Sequence, residues 1–236
     1  MEKTMFNLTK KLGLAALLAF GAVSSASASV LDTFDYDVDL TQNGIGQISS
    51  AKLVGVTETL PAPGDVQYTL KVTKDLLFAN DAQVIASQSE GVLSLSVDSG
   101  VAAMLTMDYT DIDAFAPIDL TDGGTATHFY FDILGSDEGF KLDIFVTDIF
   151  DNTSHGWITS PEVTFDDLIP ERIFMNFNVF TGVANFSLVK AITAVITAPS
   201  DSDLTISEVG TIPEPTTVAI LGLGLLGFAA SRRRKA

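Results

Sequence analysis

Apolar and polar residues alternate with a period of two through most of the interior of this chain. Val66-Gln-Tyr-Thr-Leu-Lys-Val72 places Val66, Tyr68, Leu70 and Val72 on one face of an extended strand. Residues 92–97, 128–133 and 140–146 alternate in the same way, and segments 52–58, 103–109, 172–177, 191–197 and 204–208 are further strands by the same reading. Between them lie turn-forming residues: Asn43-Gly44, Pro61-Ala-Pro-Gly64, Ser99-Gly100, Asp122-Gly-Gly124 and Asp137-Glu-Gly139. No interior segment sustains an apolar stripe at helical spacing for three turns. About nine or ten strands separated by turns predict an all-β fold, an antiparallel β-sandwich. With no internal repeat or linker, one domain over residues 29–210 is the simplest division.

The two ends break this pattern. Lys3, Lys10 and Lys11 precede an apolar run over residues 12–23, and Ala26-Ser27-Ala28 then supplies small residues at positions a signal peptidase reads. That order predicts a signal peptide over residues 1–28, cut after Ala28. At the other end, Gly222, Gly224 and Gly227 spell G-x-G-x-x-G. A dinucleotide loop needs a strand before it, a helix after it and an acidic residue about 20 positions on. Here Pro213 and Pro215 come first, and the nine residues after Gly227 contain no acid. A nucleotide site is excluded on that context.

Charge sharpens the picture. The whole chain carries −17, but residues 29–211 hold six basic residues against 28 acidic ones, a charge of about −22. Such a field repels phosphate backbones, so nucleic acid is excluded as a partner. Cysteine is absent, which removes thiol catalysis and thiolate metal sites. A body of this size can fold without disulfides.

The tail over residues 211–236 has three parts: Ile212-Pro-Glu-Pro215, an apolar stretch over residues 216–230, and the basic cluster Arg232, Arg233, Arg234 and Lys235. Together these resemble the PEP-CTERM sorting signal of exported Gram-negative proteins, with Pro213, Glu214 and Pro215 as the motif. The resemblance implies processing by the membrane enzyme exosortase, an inner-membrane stage before release to the cell surface or matrix, and an association with exopolysaccharide and biofilm. The basic cluster stays cytoplasmic by the positive-inside rule. The apolar stretch is shorter than the roughly 20 residues of a standard span, so it is expected to be a short, tilted transmembrane helix. Two prolines around Glu214 favour an extended, unpaired backbone that a protease can grip.

Chemistry within the body is less sharply signalled. Only His128 and His155 offer a base. Ser154 and His155 are sequence neighbours in a turn-rich stretch, a poor arrangement for a triad, and neither G-x-S-x-G nor H-E-x-x-H occurs. Asp108, Asp111, Asp113, Asp166 and Asp167 are solvated loop acids or, in the alternative reading, part of a polysaccharide-cleaving pair. Calcium is another use for acidity. Asp35, Asp37 and Asp39 are expected on one strand face, with Asp201, Asp203 and Glu208 meeting them if the first and last strands are neighbours. The opening Val30-Leu-Asp-Thr-Phe-Asp-Tyr-Asp37 and the later stretch 181–192 resemble galactose-binding-like jelly rolls, which implies a carbohydrate-binding or adhesive module. Trp157, with Tyr36, Tyr68, Tyr109 and Tyr130, could then stack on sugar rings, although aromatics in alternating strands also build cores. The expected function is a non-enzymatic, sorted surface protein associated with exopolysaccharide; the alternative is an exported glycoside-hydrolase-like enzyme.

Overall fold

Alternation along the chain becomes alternation of burial. The computed structural model describes residues 29–35, 37–42, 48–53, 65–75, 83–89, 91–110, 117–163 and 170–213. Residues 1–28, where a signal peptide is expected, the Arg232–Lys235 cluster and the tail beyond Pro213 lie outside these. The described strands are β1 (Ser29–Asp32), β2 (Val38–Gln42), β3 (Ile48–Leu53), β4 (Asp65–Asp75), β5 (Val84–Ser89), β6 (Val92–Val97) and β7 (Val101–Thr110). They continue with β8 (Ala126–Ser136), β9 (Lys141–Asp148), β10 (Thr153–Thr159), β11 (Glu171–Asn176), β12 (Thr181–Gly182), β13 (Val189–Ala198) and β14 (Ser202–Pro213). A short 3-10 turn, Phe177–Val179, is the one helical element among the described residues.

Two antiparallel sheets face each other, ordered β11-β8-β14-β6-β5-β2, with β1 also on β14, and β12-β10-β9-β13-β7-β4-β3. In β7 every second residue from Val101 to Tyr109 is buried, and in β13 Ile192, Ala194, Ile196 and Ala198 do the same from the next strand. The fold is therefore the all-β antiparallel sandwich that the period-two pattern predicts. Leu70, Leu105, Phe129, Ile133, Ile144 and Ile196 fill the space between the sheets.

Four expectations change. There are more strands than nine or ten: β1, β2, β5, β10 and β12 escape the alternation test because they are short or sit among turn residues. The strand expected from Lys52 begins earlier, at Ile48 in β3, and residues 54–58 lie outside the described residues. Asp35, Asp37 and Asp39 do not share a strand, because Phe34 adopts φ 56° and turns the chain between β1 and β2. Finally, Pro213 is not free of the sheet. It closes β14 opposite Ala126, where the register shifts between Ile212 and Pro213, and such an irregularity is a place in a sheet that proline tolerates.

The first and last strands pair, Ser29 with Thr211 and Val30 with Gly210. Gly210 is required there: a Cβ would come within 2.6 Å of the Tyr130 ring and would press on the Ser29 carbonyl. β1 ends in the buried Asp32, whose carboxylate accepts from Tyr109 Oη at 2.7 Å and from the Phe34 amide at 2.8 Å. Burial pushes the Asp32 carboxyl above its usual value despite these two donors. A carboxyl raised on folding favours the native state while protonated, and that contribution fades as pH rises through the folded pKa. Asp32→Asn keeps an acceptor for the Phe34 amide and removes the buried charge. Its thermal midpoint should therefore exceed that of the wild type by a few degrees at pH 7, with the gap closing toward pH 3 in a scanning-calorimetry pH series.

Candidate functional site

The outer face of the second sheet carries an aromatic and polar platform. The β9–β10 register sets Trp157 opposite Asp143, His155 opposite Phe145 and Thr159 opposite Lys141. The rows continue across β13 and β7: Asp143 faces Val195, then Thr106, and Phe145 faces Thr193, then Asp108. All these side chains share one face because each lies an even number of residues from the next along its strand.

Within the platform the polar groups hold one another. Asp143 Oδ1 accepts from Lys141 Nζ at 2.8 Å and bonds His155 Nε2 at 2.9 Å. The imidazole stacks on Phe145, with ring centroids 4.3 Å apart and planes 10° from parallel. Lys141 Nζ lies 5.5 Å from the centre of the Trp157 ring, within cation–π range. On the next strands Thr193 Oγ1 donates to Asp108 at 2.6 Å. Trp157 itself stays 56% exposed. The result is a fixed surface with one open indole, a stacked imidazole–phenyl pair, and carboxylates and hydroxyls beside them. Apolar sugar faces stack on such rings while their hydroxyls find the neighbouring donors and acceptors.

Trp157 sits on a strand rather than in a loop. The stretch before it reads as a turn because of Gly156, but that glycine lies inside β10 with the Phe180 ring against it. A Cβ would come within 2.7 Å of the ring. Trp157 is identifiable from its residue type alone. Lys141, Asp143, Phe145 and His155 are not, since only the cross-strand register assembles them.

The other sequence candidates meet different fates. Tyr68, Tyr109 and Tyr130 are buried and closed to a ligand, and Tyr36 lies outside the described residues. Ser154 and His155 point to opposite faces of β10: Ser154 is buried and accepts from the Ala184 amide, while His155 faces outward. His128 lies near the start of β8, flanked by β11 and β14, where Asn176 and Thr127 occupy its two nitrogens. Asp111, Asp113, Asp166 and Asp167 lie outside the described residues.

The calcium group does not assemble. β1 does lie beside β14, but Asp35 is turned toward Gly91 and takes a hydrogen bond from Thr33. Asp37 and Asp39 belong to the far-edge strand β2 and its approach. Asp203 and Glu208 are separated by roughly 15 Å of extended β14, and Glu208 accepts from Tyr130 Oη. Among the described residues no three acidic or histidine side chains are grouped to hold a metal ion. Asp35, Asp37, Asp39, Asp203 and Glu208 do not come together as a calcium site.

One cluster carries no signal in the sequence. Arg172 on β11 donates Nε and Nη2 to Asp132 on β8, both at 2.6 Å, and its guanidinium lies 4.1 Å from the centre of the Tyr130 ring. Burial, reinforced by the Glu208 carboxylate, pushes the Tyr130 phenol well up. Each group is committed to another, so the cluster clamps β11, β8 and β14 together and leaves little for a ligand.

Residues 211–234 match the family described as the PEP-CTERM protein-sorting motif. The match spans the tail together with the last three residues of β14, and leaves the rest of the sandwich undescribed. No curated protein matches the chain. Among solved structures, the chain is similar to a family 11 carbohydrate-binding module from Clostridium thermocellum in complex with a β-1,3-1,4-mixed-linked tetrasaccharide. The identity is 11% and the TM-score 0.36, over 80% of this chain and 98% of that one. An exo-β-agarase aligns at 14% identity and TM-score 0.41, over 80% of this chain and 25% of that one. The protein PfGH50B aligns at 11% identity and TM-score 0.40, over 56% of this chain and 22% of that one. The chain thus spans a quarter or less of the length of those two larger proteins.

Proposed function

We propose that this is an exported protein, sorted by its tail to the cell surface or matrix, whose sandwich binds polysaccharide without cleaving it. In this reading exosortase processes the tail near Pro213-Glu214-Pro215, and exopolysaccharide is the ligand of the platform on β9, β10, β13 and β7. The observation that carries it is Trp157: a large aromatic left open on a strand face, with Lys141, Asp143 and His155 locked beside it. Tryptophan held on a rigid surface is among the residues that recognition sites most often use as anchors. Asp143 is engaged by Lys141 and His155 together, which suits a positioning group better than a proton-transfer acid.

The chain contains one tryptophan, so its fluorescence reports on the platform alone. Titration with soluble polysaccharides, bacterial exopolysaccharide among them, should shift Trp157 emission to the blue and shield it from iodide, saturably, for at least one polymer. Emission unchanged across the panel would sink the binding reading. Release of new reducing ends by the wild type would replace it with the enzyme reading.

A further inference from the structure

The strand pairing brings the points of entry and exit of the sandwich to one end. Ser29 pairs with Thr211, and Pro213 closes β14 against Ala126. The Ala126 amide donates to Thr121 at 2.7 Å, Leu120 donates to the Phe186 carbonyl at 2.9 Å, and Ile118 exchanges amide bonds with Val189 at 2.9 and 3.0 Å. Val189 in turn pairs with Asp148. The turns over 119–125, 149–152 and 183–188 therefore share the end from which the tail departs. The opposite end is built from the turns around Ser99 and Ser200, joined by the Gly100 amide donating to Ser200 Oγ.

Three large apolar residues stand exposed at the tail end: Phe150 at 67%, Val183 at 78% and Val179 at 49%. Phe150 and Val183 are held out rather than left loose. The buried Asp148 carboxylate accepts from the amides of Phe150 (2.8 Å), Asn152 (3.0 Å) and Asn185 (2.9 Å), and from the Asn152 side chain (3.0 Å). Burial works against its charge, but these four donors outweigh it and hold the carboxyl down at about 2. One side chain thus fastens the loop bearing Phe150 to the loop bearing Val183. The Ile149 amide adds a bond to the Leu188 carbonyl at 3.0 Å.

Chain length then fixes what this end meets. Only Glu214 and Pro215 separate Pro213 from the apolar stretch beginning at Thr216. Three residue steps span no more than about 10 Å, while the headgroup layer on each side of the hydrocarbon is roughly 5–8 Å deep. We propose that, while the tail is anchored, this end rests on the lipid surface with Phe150, Val179 and Val183 in contact with the bilayer. The proposal rests on the reading of residues 216–230 as the anchor. Asp119, Asp122 and Asp151 rim the same end, and Lys190 Nζ there is committed to Asp151, so anionic lipid gains little purchase; the contact is apolar and neutral lipid suffices. Loops already fixed by Asp148 lose little further ordering entropy on docking.

The absence of cysteine permits single labels on the full-length chain. F150C, V183C, S99C and L221C, each carrying an environment-sensitive fluorophore, are reconstituted in phosphatidylcholine vesicles with and without nitroxide-labelled lipid. Quenching at 150 and 183 should exceed that at 99 several-fold, with 221 quenched most. Quenching at 221 with 150 and 183 no higher than 99 overturns the proposal and leaves the anchored tail standing. No quenching at 221 means the tail does not insert, and the anchor reading falls together with the proposal. Protection of 150 and 183 only in host membranes that contain the processing enzyme also overturns it, by assigning the contact to a protein.

Discussion

Replacing Trp157 by alanine is expected to weaken polysaccharide binding by about 100-fold, the scale on which a central aromatic anchor acts when truncated, while leaving the sandwich intact. The indole is more than half exposed, and Lys141 Nζ lies over its ring. Lys141 keeps its bond to Asp143 in the variant, and His155 keeps its stack on Phe145. The thermal midpoint should consequently move by no more than about 1–2 °C, as for other surface substitutions. Isothermal titration beside calorimetric melting separates the two effects. A variant that melts normally and binds as the wild type does would place the ligand elsewhere. His155→Ala should give a smaller loss, because it removes the stacked imidazole but leaves the larger ring.

Phe129→Ala should have the largest effect on stability. Phe129 is buried on β8, and its ring meets Phe177 edge-on at 5.2 Å and Phe180 at 5.8 Å. Phe186 joins both of these, so one ring ties the first sheet to the segment that follows β11. Phe129 also borders a small apolar cavity of about 30 Å³ lined by Leu31, Met107, Ile144 and Ile206. Truncation would merge the vacated ring volume with that void, which the flanking strands cannot collapse to fill. Losses of about 3–5 kcal/mol attend such substitutions, roughly 10 °C in a domain of this length. A midpoint within about 3 °C of the wild type would show that the aromatic cluster repacks.

Strands that bury one face and wet the other are legible in the amino-acid pattern alone. β6 begins and ends where alternation places it, and β7, β9 and β13 follow closely. The strands that alternation misses have local sequences that compete with pairing. Asp151 and Gly156 bracket most of a true strand with turn residues, and only the Phe180 ring, far along the chain, explains why glycine belongs inside it. The platform is half legible for a related reason. A lone tryptophan stands out by type, but Lys141, Asp143, Phe145 and His155 become its neighbours only through a register that one residue of slip would undo. Acidity misleads in the opposite direction. With so many carboxylates some grouping always suggests a metal, and the extended course of β14 holds Asp203 and Glu208 apart.

Pairing of the first strand with the last also sets an order of assembly. β1 is synthesised first, yet the backbone it bonds to is the end of β14, which comes only when the rest of the body has been made. Until then β1 has no β14 to pair with, and the sheet cannot be completed. Closing so long a loop is slow. The domain should therefore remain open through most of its synthesis. Its final zipping would coincide with the appearance of the Pro-Glu-Pro motif, so that a finished sandwich and a presented sorting signal arrive together.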